Sequence, residues 1–89
     1  MSAYAISYDL HNNRNYQPLW DALARLGAVR LLESLWLVKS SLGIIQIRDQ
    51  LQSAMDNDDS IAVLLLGNSW AVNRANANGV AFLKANVAA

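Results

Sequence analysis

"AVRLLESLWLVKS", residues 28–40, is rich in branched and aromatic side chains, the composition of extended chain, and is interrupted once near its middle by Glu33-Ser34. That pair is the natural place for a tight turn or a bulge, so the stretch reads as two short strands. The division sets the order of everything on either side.

Upstream, in "AYAISY", residues 3–8, Tyr4, Ile6 and Tyr8 alternate with Ala3, Ala5 and Ser7. A period of two with no charge on either side predicts a strand covered on both faces. From Tyr16 the spacing changes. Tyr16, Leu19, Trp20, Leu23 and Leu26 follow the i, i+3, i+4, i+7 rule of a helix with one buried stripe. Asn15 suits its cap, Pro18 its first turn, and Gly27 the left-handed residue after its end. Downstream, Ser40 or Ser41 is placed to cap a second helix with Ile44, Ile47, Leu51 and Met55 on one side and Arg48, Asp49, Gln50 and Gln52 on the rest. "DNDDS", residues 56–60, ends it. The run "IAVLLL", residues 61–66, then predicts a strand buried on both sides.

Strand, helix, strand, strand, helix, strand is the split βαβ order of an α+β, ferredoxin-like domain with an antiparallel sheet. Residues 1–68 make this core. The tail, 69–89, is an extension of the same domain: Trp70 to Val72 has the composition of a short strand, and Val80, Leu83 and Val87 have helical spacing after Asn76 or Asn78, with Gly79 weakening the helix. Two helices cover only one side of such a sheet. The strands alternate so little that the other side is expected to be bare and apolar, which predicts a partner subunit and hence a homodimer.

Composition narrows the classes. At 89 residues the chain is one domain, of a size that buries about 60–65% of its unfolded surface. With 54% hydrophobic residues it is too apolar for disorder, and no apolar run approaches the roughly 18–20 residues of a bilayer span. "MSAYAISYD" has no basic leader before a long apolar stretch, so no signal peptide and no membrane partner are expected, and a cytoplasmic location is. There is no cysteine, which fits a reducing compartment. Seven basic and seven acidic residues balance. Nonspecific grip on phosphate backbones needs clustered Lys and Arg, so neutrality argues against it. Three of the acids, Asp56, Asp58 and Asp59, share one short stretch, and a mildly positive face elsewhere is compatible with the count.

Chemistry-bearing residues gather at the end of the first strand, where Asp9 is followed by His11 and Arg14. Read from the residues, Asp9 opens an Asx-type turn toward Asn12. His11 has the unperturbed pKa of a proton carrier near neutrality, although a lone His in a polar loop is most often simply solvated. Arg14 stands at a helix start, where a phosphate would also meet backbone N–H groups. Ser34 reads as a turn hydroxyl. Trp20 and Trp36 have the surface to stack on bases, but their positions read first as core or interface. The acidic "DNDD" lacks the Gly and terminal Glu of a helix-loop-helix calcium loop and reads as a solvated turn. The chain has no GxSxG, GxxxxGK[ST] or GxGxxG, and one His with no Cys leaves too few ligands for structural zinc.

Four stretches in this order resemble the CRISPR-associated Cas-two family and the related virulence-associated protein D toxins, small ferredoxin-like homodimers. They are the strand ending "YAISYDL", Arg14 at the opening of the first helix, "RLLESLW" at residues 30–36, and "DDSI" at residues 58–61. The likeness spans roughly residues 3–66. This chain departs from the family in carrying Leu32 where Gln is frequent, Trp36 where Phe is usual, and no excess of basic residues. The resemblance implies that Asp9 is a catalytic metal ligand, contributed by both subunits, for Mg²⁺ or Mn²⁺. It implies that Arg14 and Ser34 contact an RNA or DNA substrate and that the activity is that of an endonuclease; His11, two residues beyond Asp9, is a further candidate substrate contact by its residue type. A noncatalytic dimeric scaffold or binding module, with Asp9 structural, is the other reading. Neutral charge favours that second reading, and the Tyr8-Asp9 strand end the first.

Overall fold

In the computed structural model, which describes residues 1–10 and 15–87, the period-two segment near the start becomes β1 (Ser2–Asp9). It is followed by α1 (Gln17–Arg25), β2 (Val29–Leu32), β3 (Leu35–Ser40), α2 (Ile44–Gln52), β4 (Ser60–Leu65) and α3 (Ala77–Asn86). The strands make one antiparallel sheet in the order β2-β3-β1-β4. This is the ferredoxin-like α+β arrangement the element order predicts, with a helix added at its C-terminal end. Glu33-Ser34 is a two-residue turn, and the β2–β3 register also slips between Arg30 and Leu32, so turn and bulge are both present.

Alternation in β1 decides where the cores lie. Tyr4, Ile6 and Tyr8 point toward α1 and α2 and pack with Leu19, Leu23, Val38, Ile47 and Leu51. Burying each large apolar side chain of that set contributes about 1.5–3 kcal/mol. In α1 the cap position falls to Tyr16 and not to Asn15, which stands one residue earlier and whose Oδ1 accepts the Gln17 N–H at 3.0 Å; Pro18 sits in the first turn and Gly27 follows the end with φ +79°, as the sequence suggests. The start of α2 differs from the serine cap expected. Ser40 Oγ accepts the Leu42 N–H at 3.0 Å and so bends the lead-in, while Gly43 is the cap, its N–H donating to Gln46 Oε1 at 2.8 Å.

The other side of the sheet is not bare. Ala5, Leu31 and Leu37 are buried there beneath Leu83 and Val87, because α3 lies across β2 and β3. The strand expected at Trp70 to Val72 does not form. Trp70 instead packs into this second cluster, its indole N–H donating to the Val87 carbonyl at 3.1 Å, which ties the connection to the far end of α3. The Asn76 N–H donates to the Leu31 carbonyl at 2.9 Å and fixes the near end.

Gly79 explains how α3 comes so close. A Cβ built there would sit 2.7 Å from Leu31 Cα and 2.8 Å from the Arg30 carbonyl oxygen, both backbone atoms that cannot swing aside. The glycine that weakens the helix locally is therefore what lets it dock. Gly79→Ala is expected to destabilise the protein by about 1–2 kcal/mol, the overpacking cost exceeding the roughly 1 kcal/mol that alanine gains in helix propensity. Urea unfolding measures it, and a variant as stable as the parent would contradict the close approach.

β4 also departs from expectation. The run "IAVLLL" forms an edge strand, not one buried on both sides, and leaves Leu64 56% and Leu65 64% exposed. An apolar run of that length identifies a strand but not what covers it. Cross-strand pairing places Ser7, Asp9, Ser60, Ala62 and Leu64 on the α3 side of the sheet, beyond the part that α3 covers.

Candidate functional site

Asp9 ends β1 opposite Ser60 and is exposed. With Ser7, Tyr8, Ser60, Ile61 and Ala62 it lines a shallow depression of about 160 Å³, in which it is the one carboxylate among the described residues. The oxygen donors in reach of that hollow are all hard, a carboxylate and two serine hydroxyls. His11, Arg14 and the Asx turn toward Asn12 lie outside the described residues.

Ser34 is exposed at the β2–β3 turn and lines a different depression, of about 320 Å³, with Tyr8, Tyr16, Trp20, Arg30 and Glu33. Tyr8 borders both hollows. The residues singled out by sequence are thus divided: Asp9 on the α3 side of the sheet, Ser34 at the end of the hairpin.

Around Ser34 the sheet and α1 assemble a cluster that was not evident from the sequence. The Tyr8 hydroxyl accepts the Trp20 indole N–H at 2.8 Å and the Trp36 indole N–H at 3.2 Å, and donates to the Glu33 carbonyl at 3.3 Å. One hydroxyl has one proton and two lone pairs, so its capacity is filled and both indoles are held by their N–H edges. Tyr16, which its spacing placed on the buried stripe of α1, is 37% exposed and stacks on Trp20 with centroids 5.5 Å apart and planes 18° apart. Arg30 pairs with Trp36 across the β2–β3 ladder. Its guanidinium carbon lies 4.7 Å from the Trp20 ring centroid and 4.6 Å from that of Trp36, the geometry of a double cation–π contact. Arg30 Nε is buried with no hydrogen-bond partner among the described residues. A cation set among branched and aromatic residues of the hairpin, close to Trp36, was the signal available in the sequence. Both tryptophans are half-buried and pack against the first core, as their positions suggested.

The acidic stretch forms the turn expected of it. The Asp56 N–H donates to Asp59 Oδ2 at 2.9 Å and the Asp59 N–H to the Asp56 carbonyl at 3.1 Å, which gathers one oxygen from each of Asp56, Asp58 and Asp59 within 4.8 Å. Among the described residues no helix is long and apolar enough to cross a membrane.

No family model matches the chain. Its fold is similar to that of a solved protein, hypothetical protein TT1823 from Thermus thermophilus, with a TM-score of 0.67 over 84% of this chain and 94% of that one, at 15% identity. A likeness at that identity carries the fold alone.

Proposed function

We propose that two copies of this chain form a Cas-two-like, nucleic-acid-associated homodimer in which Asp9 of each copy holds Mg²⁺ or Mn²⁺ for hydrolysis of phosphodiester bonds in RNA or DNA. The observation that supports this reading is the position of Asp9: exposed at the end of a central strand, on the strip of sheet that α3 does not cover, with Ser7 and Ser60 beside it and the exposed Leu64 farther along. A second copy packed on that strip would bury Leu64 and set two carboxylates about a twofold axis.

The donor set fits such an ion. Mg²⁺ takes one or two carboxylates and keeps several waters, so one exposed Asp per chain suffices when two chains contribute. When bound, the ion lowers the pKa of a coordinated water and offsets charge developing on the phosphodiester. The roles of this chain's own residues follow from their types. Asp9 holds the site at the strand end, the open hollow admits a phosphate, and Arg14 and His11, a few residues on in sequence, supply a phosphate contact and a proton carrier.

The test incubates the pure protein with labelled RNA and DNA in Mn²⁺ or in chelator, beside Asp9→Ala, with solution mass measured in parallel. Cleavage that requires Mn²⁺ and falls about 100-fold or more in Asp9→Ala is expected. Cleavage that survives the substitution overturns the assignment. The alternative of a noncatalytic dimeric scaffold or binding module draws on zero net charge and on Asp9 being the one carboxylate in its hollow. A dimer without cleavage would select it, and a monomer at micromolar concentration would remove both readings.

A further inference from the structure

We infer that Arg30 and the aromatic rings around it form a binding site for unpaired nucleotides of a single-stranded nucleic acid, with a base stacked on Tyr16 and a phosphate held by Arg30. Asp9, a metal and a second copy play no part in this site, so the inference goes beyond the proposed reading.

Three features of the cluster point to that ligand. First, the stacking surface is preorganised. The Tyr8 hydroxyl fixes Trp20 and Trp36 by their indole edges, and Trp20 in turn supports Tyr16, which remains 37% exposed. A ring braced by Trp20 and by Tyr8, whose centroid lies 5.9 Å away, and still 37% exposed gives a base a platform with little ordering left to do.

Second, the cation is placed by π faces and, among the described residues, not by a carboxylate. Arg30 has two tryptophan rings within 4.7 Å of its guanidinium carbon, and its Nε is buried without a hydrogen-bond partner among the described residues. An arginine held this way keeps its charge for an incoming anion, and planar recognition of phosphate is what a guanidinium does well.

Third, Arg30 stands between two hollows. One, of about 320 Å³, carries Tyr16 and Trp20. The other, of about 420 Å³, carries Trp36 with Asn76 and Asn78. Volumes of this order suit a nucleotide-sized group. A phosphate at Arg30 would leave one base for the Tyr16 platform and the next for the side bearing the two asparagines, whose amides both donate and accept. A lone cation flanked by stacking surfaces matches the alternation of base and phosphate in a strand. An acidic peptide would bring the charge but no planar base for the Tyr16 ring.

The test uses the full chain in chelator, which removes metal-dependent cleavage from the measurement. The probes are fluorescein-labelled pentamers of deoxythymidylate and of uridylate, read by anisotropy and by tryptophan emission. Saturable binding with quenched emission is expected, weakened roughly 10-fold in Tyr16→Ala, within the range of a lost base–aromatic stack. Arg30→Gln is expected to weaken binding by a similar factor, whereas Arg48→Gln, which removes the same charge from the exposed side of α2, changes affinity about twofold at most. Far-UV circular dichroism confirms that each variant is folded, and Tyr16, at the exposed start of α1, can be truncated without opening the core. The inference is overturned if neither oligomer binds, if Tyr16→Ala and Arg30→Gln bind as the parent does, if Arg48→Gln is as harmful as Arg30→Gln, or if an oligoglutamate peptide competes as well as the oligonucleotide.

Discussion

Leu83→Ala lowers the free energy of unfolding by about 2–5 kcal/mol, a substantial share of the roughly 5–15 kcal/mol available to a domain. Leu83 is 2% exposed and packs with Ala5, Leu31, Leu37 and Val87 beneath α3. The lost transfer energy is only part of the cost, because the hole left behind closes poorly. On the sheet side Ala5 is too small to fill it. Along the helix, Gly79 already meets the Leu31 backbone at the limit of approach, so α3 has no room to sink. Urea unfolding of the parent and the variant gives the value. A change below about 1 kcal/mol would mean that α3 does not close the second core, and the account of that side of the sheet would fall with it.

Tyr8→Phe is the second large effect, a loss of about 2–3 kcal/mol. A single atom is removed, but it serves three partners: the two indole N–H groups it accepts and the Glu33 carbonyl to which it donates. Each buried polar group left unsatisfied costs about 1–3 kcal/mol, and the lower end applies because Trp20 and Trp36 are only half-buried and water can replace part of what is lost. The same substitution releases both rings, so tryptophan emission is expected to shift in the folded variant. Unfolding free energy within about 0.5 kcal/mol of the parent, with unchanged emission, would show that the hydroxyl does not brace the indoles.

These two residues also show which parts of the structure were open to sequence reading. The first core was legible because two periods cross there: Tyr4, Ile6 and Tyr8 at spacing two meet Leu19, Leu23, Ile47 and Leu51 at helical spacing. The hairpin was legible because Glu33-Ser34 interrupts an otherwise apolar run. The helix of the tail was legible from Val80, Leu83 and Val87, but its docking was not, since Gly79 taken alone reads as a weak point and only the nearness of Leu31 reveals its purpose. β4 misled for a related reason, as its composition identifies a strand without saying whether anything covers it.

For the site, Asp9 and Ser34 were found as residue types, yet the structure puts them in separate hollows because the strand carrying Asp9 turns that side chain to the α3 side. Arg30 was not legible because its neighbours come from two other elements. Trp36 is its ladder partner only in a register that includes a bulge, and Trp20 arrives from α1. No spacing rule along one segment joins them.

The place of β1 between β3 and β4 has a kinetic consequence. The first strand made is the one that must wait longest, because its ladder to β4 joins segments separated by most of the chain, and every such closure forfeits loop entropy before any pairing compensates. A topology of this kind raises contact order, so folding is expected to be slow for so short a polypeptide and to finish only after β4 and the helix behind it have left the ribosome.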